Sequence, residues 1–84
     1  MAKVTIYTRP FCGYCAHALR VLNGKGAEVV EIEAGFDPQM RSEMVRRSGS
    51  HTFPQIFVGE THIGGCDAMM ELERQGKLDA LLEA

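Results

Sequence analysis

Apolar residues recur along the first half of the chain in two spacings, which predict two strands and a helix. The segments VTIYT (4–8) and AEVVEIE (27–33) are short and rich in β-branched residues, as is typical of strands. Between them, apolar residues recur at helical spacing at Ala16, Leu19 and Leu22. Gly24 and Gly26 follow as stop signals. Two strands joined by a helix predict a right-handed crossover and a parallel strand pair.

The next segment predicts a second helix and then a hairpin. The sequence DPQMRSEMVRRSG begins with a capping Asp37 followed by proline and ends at Gly49, which is typical of a helix. Two short strands, 55–59 and 61–65, meet at a glycine-containing tight turn.

A final helical region is expected from about Cys66 towards Leu82, interrupted near Gly76 and restarting at Lys77. The predicted order is therefore βαβαββα with an extra final turn or short helix. Neither repeats nor linkers are visible in the sequence, so we expect an α/β fold in one domain that spans residues 1–84.

Composition excludes several classes of protein. The chain has 84 residues, 45% of them hydrophobic, and no apolar run approaches the length of a membrane helix. A formal charge of -2 with scattered basic residues indicates neither a nucleic-acid nor a lipid surface. The N-terminal segment does not resemble a secretory signal, so a cytoplasmic location is expected.

The sequence Cys12-Gly13-Tyr14-Cys15 carries the candidate chemistry. A disulfide framework is disfavoured because the chain has an odd number of cysteines, three, and because the expected cytoplasmic compartment keeps thiols reduced. A structural zinc site needs four ligands, and the remaining candidates are distant from one another in sequence: Cys66, His17, His51 and His62. A pair of cysteines three positions apart that opens a helix after a strand instead indicates a redox centre.

The two cysteines of this centre are expected to differ in chemistry. Residues three apart on a helix have Cβ atoms about 5–6 Å apart, which allows a disulfide after modest local adjustment. Cys12 precedes the helix and faces its free N–H groups, whereas Cys15 lies inside the first turn and is more covered. Cys12 is therefore predicted to be the nucleophile, assisted by N–H and S–H donors and by the charge of Arg9.

Three motifs, in this order, resemble those of the glutaredoxin family over essentially the whole chain: CGYC (12–15), TFP (52–54) and GGCD (64–67). The resemblance implies a thioredoxin fold with a mixed four-stranded sheet flanked by helices. It also implies a glutathione-dependent thiol-disulfide oxidoreductase in which Cys12 attacks the substrate. Cys15, or a second glutathione, then resolves the mixed disulfide.

The same resemblance implies a set of glutathione-binding residues, namely Arg9, Tyr14, Thr52, Phe53, Pro54, Gly65, Cys66 and Asp67. It implies a cis bond before Pro54, although sequence alone favours trans. The Phe53 backbone would then pair with glutathione, although many family members have a β-branched residue at this position. Asp67 would bind the ammonium group of glutathione or serve as a helix cap, and Cys66 would be a small core residue or part of the motif.

The partners implied by the resemblance are glutathione and proteins carrying disulfides or bound glutathione, such as a ribonucleotide reductase. Glutathione reductase would act indirectly, through glutathione, on a monomer that binds neither nicotinamide nor a metal. Gly13 stands where many dithiol members have proline, and this keeps open an alternative in which two subunits bridge a 2Fe-2S cluster through Cys12 and glutathione. Reduction by thioredoxin reductase is a further alternative, and the GGCD motif disfavours it.

Overall fold

The computed structural model describes residues 2–84. Its strands are β1 (Lys3–Thr8), β2 (Glu28–Glu33), β3 (Gln55–Val58) and β4 (Thr61–Gly64). Its helices are α1 (Gly13–Gly24), α2 (Pro38–Ser48), α3 (Cys66–Arg74) and α4 (Leu78–Glu83). The predicted order of strands and helices is confirmed, with boundaries within about two residues of those expected.

The four strands form one mixed sheet in the order β2-β1-β3-β4. β1 and β2 are parallel, with Ile6 opposite Glu31, as the crossover through α1 requires. β3 is antiparallel to both β1 and β4. This arrangement places the end of β1, the start of α1 and the start of β3 together at one end of the central strands.

The ends of α2 follow from the predicted capping signals. The Asp37 carboxylate accepts hydrogen bonds from the backbone N–H groups of Gln39 and Met40, at 3.1 and 3.2 Å. At the other end, Gly49 adopts a φ of 72°, a conformation that glycine reaches without steric cost. Gly59, with a φ of 58°, makes the tight turn between β3 and β4 in the same way.

The final helical region is divided into two helices, as predicted. The break after α3 contains Gly76, and α4 begins at Leu78 rather than at Lys77, which caps it. The Lys25 ammonium lies 2.8 Å from a Glu73 carboxylate oxygen and 2.7 Å from one of Asp79, and so joins the end of α1 to both helices. Within residues 2–84, none of the helices is long and apolar enough to cross a membrane.

Two apolar clusters hold the helices against the sheet. One cluster includes Ile6, Leu22, Ile56 and Met69 and lies among β1, β3, α1 and α3. The other is built from Tyr7, Ala34, Met44 and Phe57 and packs α2 on the sheet.

The prediction that Ala16, Leu19 and Leu22 form the apolar face of α1 was wrong for Ala16. Ala16 is exposed, and the buried face of α1 is formed instead by Cys15, Ala18 and Leu22. Residues three and four apart share a helix face, so Ala18 and Leu22 lie above Cys15. The helix therefore turns its second cysteine towards the core.

Candidate active site

Cys12 occupies the position that caps the N-terminus of α1. Its extended backbone (φ -106°, ψ 107°) turns the side chain back over the helix start. The Cys12 Sγ atom accepts a hydrogen bond from the backbone N–H of Cys15 at 3.2 Å. Free N–H groups and the positive end of the helix dipole therefore face this sulfur.

Cys15 is held in a different environment from Cys12. Its side chain is 3% exposed, against 8% for Cys12, which confirms that Cys15 is the more covered of the two. Burial, followed by the hydrogen bond with the Cys12 side chain, raises the pKa of Cys15 to about 12. Cys15 is therefore held as a thiol at neutral pH, and Cys12 is the less covered of the two cysteines.

The loop before β3 contains the predicted cis peptide bond, between Phe53 and Pro54. Pro54 is fully buried, while Phe53 is partly buried against the cluster under α2, with the Arg41 guanidinium 5.6 Å from its ring centre. The N–H and C=O groups of Phe53 form no hydrogen bond with any other residue of the described chain. They are therefore available to an extended ligand.

The Gln55 side chain stabilises the cis-proline loop through hydrogen bonds to Thr52. Its side-chain amide group donates hydrogen bonds to the Thr52 carbonyl oxygen at 2.9 Å and to Thr52 Oγ1 at 3.0 Å. Its carbonyl oxygen, Oε1, lies 2.7 Å from Nε2 of His62 on β4. Gln55 is one of the buried polar residues, and every polar atom of its side chain is satisfied by these contacts.

The start of α3 lies beside the cis-proline loop. A Cβ atom added to Gly65 would be 3.4 Å from the Pro54 carbonyl oxygen, which shows how closely the two segments approach. Gly65 caps α3 without a side-chain hydrogen bond, and Asp67 lies exposed in the first turn. The Asp67 carboxylate does not form the cap bond that was considered for it, and no hydrogen bond or ion pair joins it to another residue in 2–84.

Cys66 is both a small core residue and a part of the site, the two roles that the sequence allowed. Its side chain is 6% exposed and belongs to the apolar cluster under α1. Burial raises the pKa of its thiol, and the nearby Asp67 and Cys12 charges raise that pKa further. Cys66 is thus mainly a core residue whose sulfur reaches the edge of the site as a neutral thiol.

Two cavities collect nine of the ten predicted site residues. The larger, about 600 Å³, is lined by Arg9, Cys12, Gly13, Tyr14, His17, Cys66, Asp67 and Met70. The smaller, about 300 Å³, is lined by Tyr14, Thr52, Phe53, Pro54, Gly65, Cys66 and Asp67. The two cavities share Tyr14, Cys66 and Asp67, so together they form one groove, called here the thiol groove. Cys15 lies behind Cys12 and faces a third cavity.

Some residues around the groove were not predicted as part of the site. His17 and Met70 line it, and each lies about one helical turn from a predicted residue, Tyr14 and Cys66 respectively. Helical spacing was therefore a usable signal for both.

Bound metal was the other possibility weighed for these cysteines and histidines. Within the described range, residues 2–84, no group of three or more His, Cys, Asp or Glu side chains is close enough to hold a metal ion together. Cys12, Cys15 and Cys66 are all free thiols in the structure.

Comparisons with known proteins agree with this geometry. A family model described as Glutaredoxin matches residues 4–63. A glutaredoxin of Pseudomonas aeruginosa is 51% identical over 84 residues, covering 100% of both chains. The solution structure of glutaredoxin from Brucella melitensis is 57% identical with a TM-score of 0.84, covering 98% of this chain and 89% of that one.

A crystal structure of a buckwheat glutaredoxin–glutathione complex is also similar. It is 31% identical with a TM-score of 0.86, and the match covers 95% of this chain and 76% of that one. The mixed four-stranded sheet and the position of the two cysteines at the start of a helix match what the sequence motifs implied. The chain therefore belongs to the glutaredoxin family of thioredoxin-fold thiol-disulfide oxidoreductases.

Proposed function

We propose that this glutaredoxin uses glutathione to reduce protein disulfides and protein–glutathione mixed disulfides through Cys12 and Cys15. The observation that carries the proposal is the position of the Cys12 sulfur. It accepts the Cys15 N–H at 3.2 Å and opens on the thiol groove, whose far wall is the cis-proline loop and the start of α3. A nucleophilic sulfur and a peptide-binding edge thus face one another.

The first step is attack by the Cys12 thiolate on a substrate disulfide. A bond forms between Cys12 Sγ and one substrate sulfur, the substrate S–S bond breaks, and the other sulfur leaves as a thiolate that takes a proton from water. The N–H of Cys15 and the start of α1 stabilise the Cys12 thiolate before attack.

Resolution follows one of two routes. Cys15 loses its proton and attacks Cys12 Sγ, which releases the reduced substrate and leaves a Cys12–Cys15 disulfide. Two glutathione molecules then reduce that disulfide and become glutathione disulfide. When Cys12 instead carries glutathione, a second glutathione thiolate attacks the glutathionyl sulfur, so glutathione disulfide leaves and the Cys12 thiolate is regenerated.

Glutathione fits the groove as a short extended peptide. The Phe53 N–H and C=O groups pair with its cysteine residue in the manner of an added strand. The Asp67 carboxylate binds the γ-glutamyl ammonium group, while free N–H groups at the start of α3 bind the neighbouring carboxylate. Arg9 meets the glycine carboxylate, and Tyr14 packs along the peptide. The buckwheat complex, named for its glutathione, supports this choice of ligand.

The wider setting follows from this chemistry. Glutathione disulfide would be reduced at the expense of NADPH by glutathione reductase, which needs no contact with this chain. Suitable substrates are glutathionylated proteins and protein disulfides such as that of a ribonucleotide reductase. The proposal assumes a single domain, a monomer and a reducing cytoplasmic compartment, where both cysteines are returned to thiols.

The test is reduction of the mixed disulfide of glutathione and mercaptoethanol, coupled to glutathione reductase. The parent protein should be active, Cys12→Ser inactive, and Cys15→Ser active, because one thiol is enough when glutathione resolves the intermediate. Replacing glutathione reductase by thioredoxin reductase should abolish turnover. A folded parent that is inactive in this assay would reject the proposal.

A cluster-bridged dimer is the second candidate, favoured by one observation. Apart from its chain neighbours and its own helix, a Cβ atom added to Gly13 would meet nothing within 4 Å, so the backbone beside Cys12 borders open space that a second subunit could enter. The donor set of one chain does not hold a cluster, since no three suitable side chains meet within residues 2–84. Two copies of Cys12 and glutathione would be needed. Anaerobic purification, followed by visible absorption and size-exclusion measurements, tests for a coloured dimer.

A further inference from the structure

Large apolar side chains are exposed at only four positions of the described chain, and three of these are aromatic. Phe11 is 100% exposed, Phe36 80% and Tyr14 66%, whereas the fourth, Val30, is 36% exposed. Phe11 and Tyr14 flank Cys12 in the sequence. Isolated exposed apolar residues are common on proteins, but a group of aromatics beside a nucleophile is typical of an interaction surface.

Phe11 is exposed at a conformational cost. Its φ of 59° makes it the one non-glycine residue with positive φ among residues 2–84. Bulky residues rarely adopt this conformation, and such outliers concentrate at ligand-binding positions. The conformation turns the backbone from β1 into the cap of α1 and leaves the Phe11 ring in solvent, immediately before the reactive sulfur.

The chain that leads to Phe36 packs against the chain that leads to Phe11. A Cβ atom added to Gly35 would lie 2.6 Å from Arg9 Cβ and 3.0 Å from Pro10 Cδ, so only glycine allows this close approach. The Ala34 N–H also donates to the Thr8 carbonyl oxygen at 2.8 Å. The segment that ends in Phe36 therefore runs along the segment that ends in Phe11.

A second groove opens beside Phe11, on the other side of Cys12 from the cis-proline loop. This third cavity, about 430 Å³, has Phe11 and Cys12 in its wall, together with Cys15 and Leu19 of α1. It shares Arg9, Cys12 and Gly13 with the thiol groove and contains none of the residues from the cis-proline loop or α3. Cys12 can thus be approached from two sides.

We infer that Phe11 and Phe36 form a docking surface for apolar side chains next to the reactive cysteine of a polypeptide substrate. The inference rests on the proposed function and adds a substrate preference to it. A substrate sulfur must come within bonding distance of Cys12 Sγ, so the chain that carries that sulfur has to pass over the residues around Cys12. With glutathione in the thiol groove, the Phe11 side is left for the polypeptide.

The chemistry of the surface selects one kind of occupant. Two aromatic rings gain most from covering apolar side chains, because burial of apolar area drives association and aromatic side chains dominate contact energies. A small mixed disulfide has no side chains that reach this surface. Phe11 and Phe36 should therefore discriminate between polypeptides and have little to recognise in a small thiol.

The test uses two short peptides, each with one central cysteine carrying glutathione. One peptide has leucine and phenylalanine beside the cysteine, and the other has glutamine and serine there. The parent should show a kcat/KM about tenfold higher for the apolar peptide, equivalent to about 1.4 kcal/mol. The double variant Phe11→Asn, Phe36→Ser should bring that ratio close to one. Asparagine is chosen because it tolerates positive φ.

The ratio of two rates on one enzyme preparation is independent of the folded fraction, which separates recognition from stability. Val30→Thr is the matched control, since it removes an exposed apolar side chain on β2 outside the three cavities and should keep the tenfold ratio. A parent without preference, or a double variant that keeps it, overturns the inference. The parent's activity on the glutathione–mercaptoethanol disulfide separately reports whether the proposed function holds.

Discussion

His62 orients Gln55 across the β3–β4 hairpin, with 2.7 Å between the ring nitrogen Nε2 and the amide oxygen Oε1. Because an amide oxygen only accepts, Nε2 carries the proton in this contact. The Gln55 NH₂ group is then directed at the Thr52 carbonyl oxygen, 2.9 Å away, at the base of the cis-proline loop. An exposed residue on β4 thereby positions the loop that is proposed to bind glutathione.

Removing the hydrogen-bond donor at position 62 should therefore weaken ligand binding more than it slows the chemical step. In His62→Leu, a lost hydrogen bond of about 1 kcal/mol should raise KM for the glutathione–mercaptoethanol disulfide about fivefold, with kcat changed much less. His62→Gln retains a side-chain donor and should restore KM towards that of the parent. Equal KM values in the Leu and Gln variants, or a loss confined to kcat, would contradict the positioning role.

Asp67 is predicted to act on the ligand rather than on the stability of α3. Asp67→Asn removes a carboxylate that has no partner in the described chain, so KM for the glutathione–mercaptoethanol disulfide should rise about tenfold. The free energy of unfolding should fall by less than about 1 kcal/mol, the size of a helix-dipole contribution.

Asp79 supplies a matched control for Asp67. It lies in the first turn of α4 and bonds the Lys25 ammonium at 2.7 Å. Asp79→Asn should lower the urea midpoint and leave KM unchanged. A change of KM in both variants would point to a general charge effect, and a large loss of stability in Asp67→Asn alone would make Asp67 a structural residue.

The three thiols should react with iodoacetamide in a fixed order. Cys12 should be modified first, because it is the most exposed of the three cysteines and its sulfur accepts a hydrogen bond from the Cys15 N–H. Burial raises the pKa of Cys66 and of Cys15, so neither forms much thiolate at neutral pH. Mass spectrometry of the reduced protein at about pH 7 should show one added group before any second one.

Unfolding in urea should remove that order, because the burial that protects Cys15 and Cys66 is lost. All three thiols should then react at similar rates. Equal labelling of Cys12 and Cys66 in the folded protein would contradict the assignment of Cys66 to the core.

Local signals in the sequence predicted most of the fold. The Asp37 cap, the Pro38 start and the glycine end of α2 act within one or two turns, so they can be read without tertiary information. The face of α1 was harder to predict. Ala16 and Ala18 are both small and apolar, and only packing against the sheet decides that Ala18 is buried.

The candidate site divides in the same way. The spacing of Cys12 and Cys15 and their place at a helix start indicated the redox centre from the residues alone. The cis bond before Pro54 came only from the family resemblance, because a sequence does not show peptide geometry. The contact between Gln55 and His62 was missed because it joins diagonal neighbours across β3 and β4, whose register shifts at Ile56/Phe57.

The raised pKa of Cys15 also predicts how stability depends on pH in the reduced protein. Burial and the Cys12 contact raise that pKa from 9.0 to about 12, so the folded state holds the Cys15 proton more tightly than the unfolded state does. For a group of this kind, the contribution to stability is complete below the unfolded pKa and is lost as pH rises through the folded value. The window of loss therefore lies between about pH 9 and about pH 12.

Urea unfolding at about pH 8 and at about pH 10.5 tests this window. The midpoint of the reduced parent should fall between the two conditions by more than that of Cys15→Ser, which has no thiol to ionise at this position. Tyr7, whose pKa is raised chiefly by burial, and Lys25, whose pKa is raised chiefly by its bond to Asp79, contribute equally to both proteins and cancel in the comparison. Identical pH dependence in the parent and in Cys15→Ser would show that the Cys15 proton is not held by the fold. Cys15 would then be free to ionise before Cys12 has reacted, and the proposed order of the two thiols would fail.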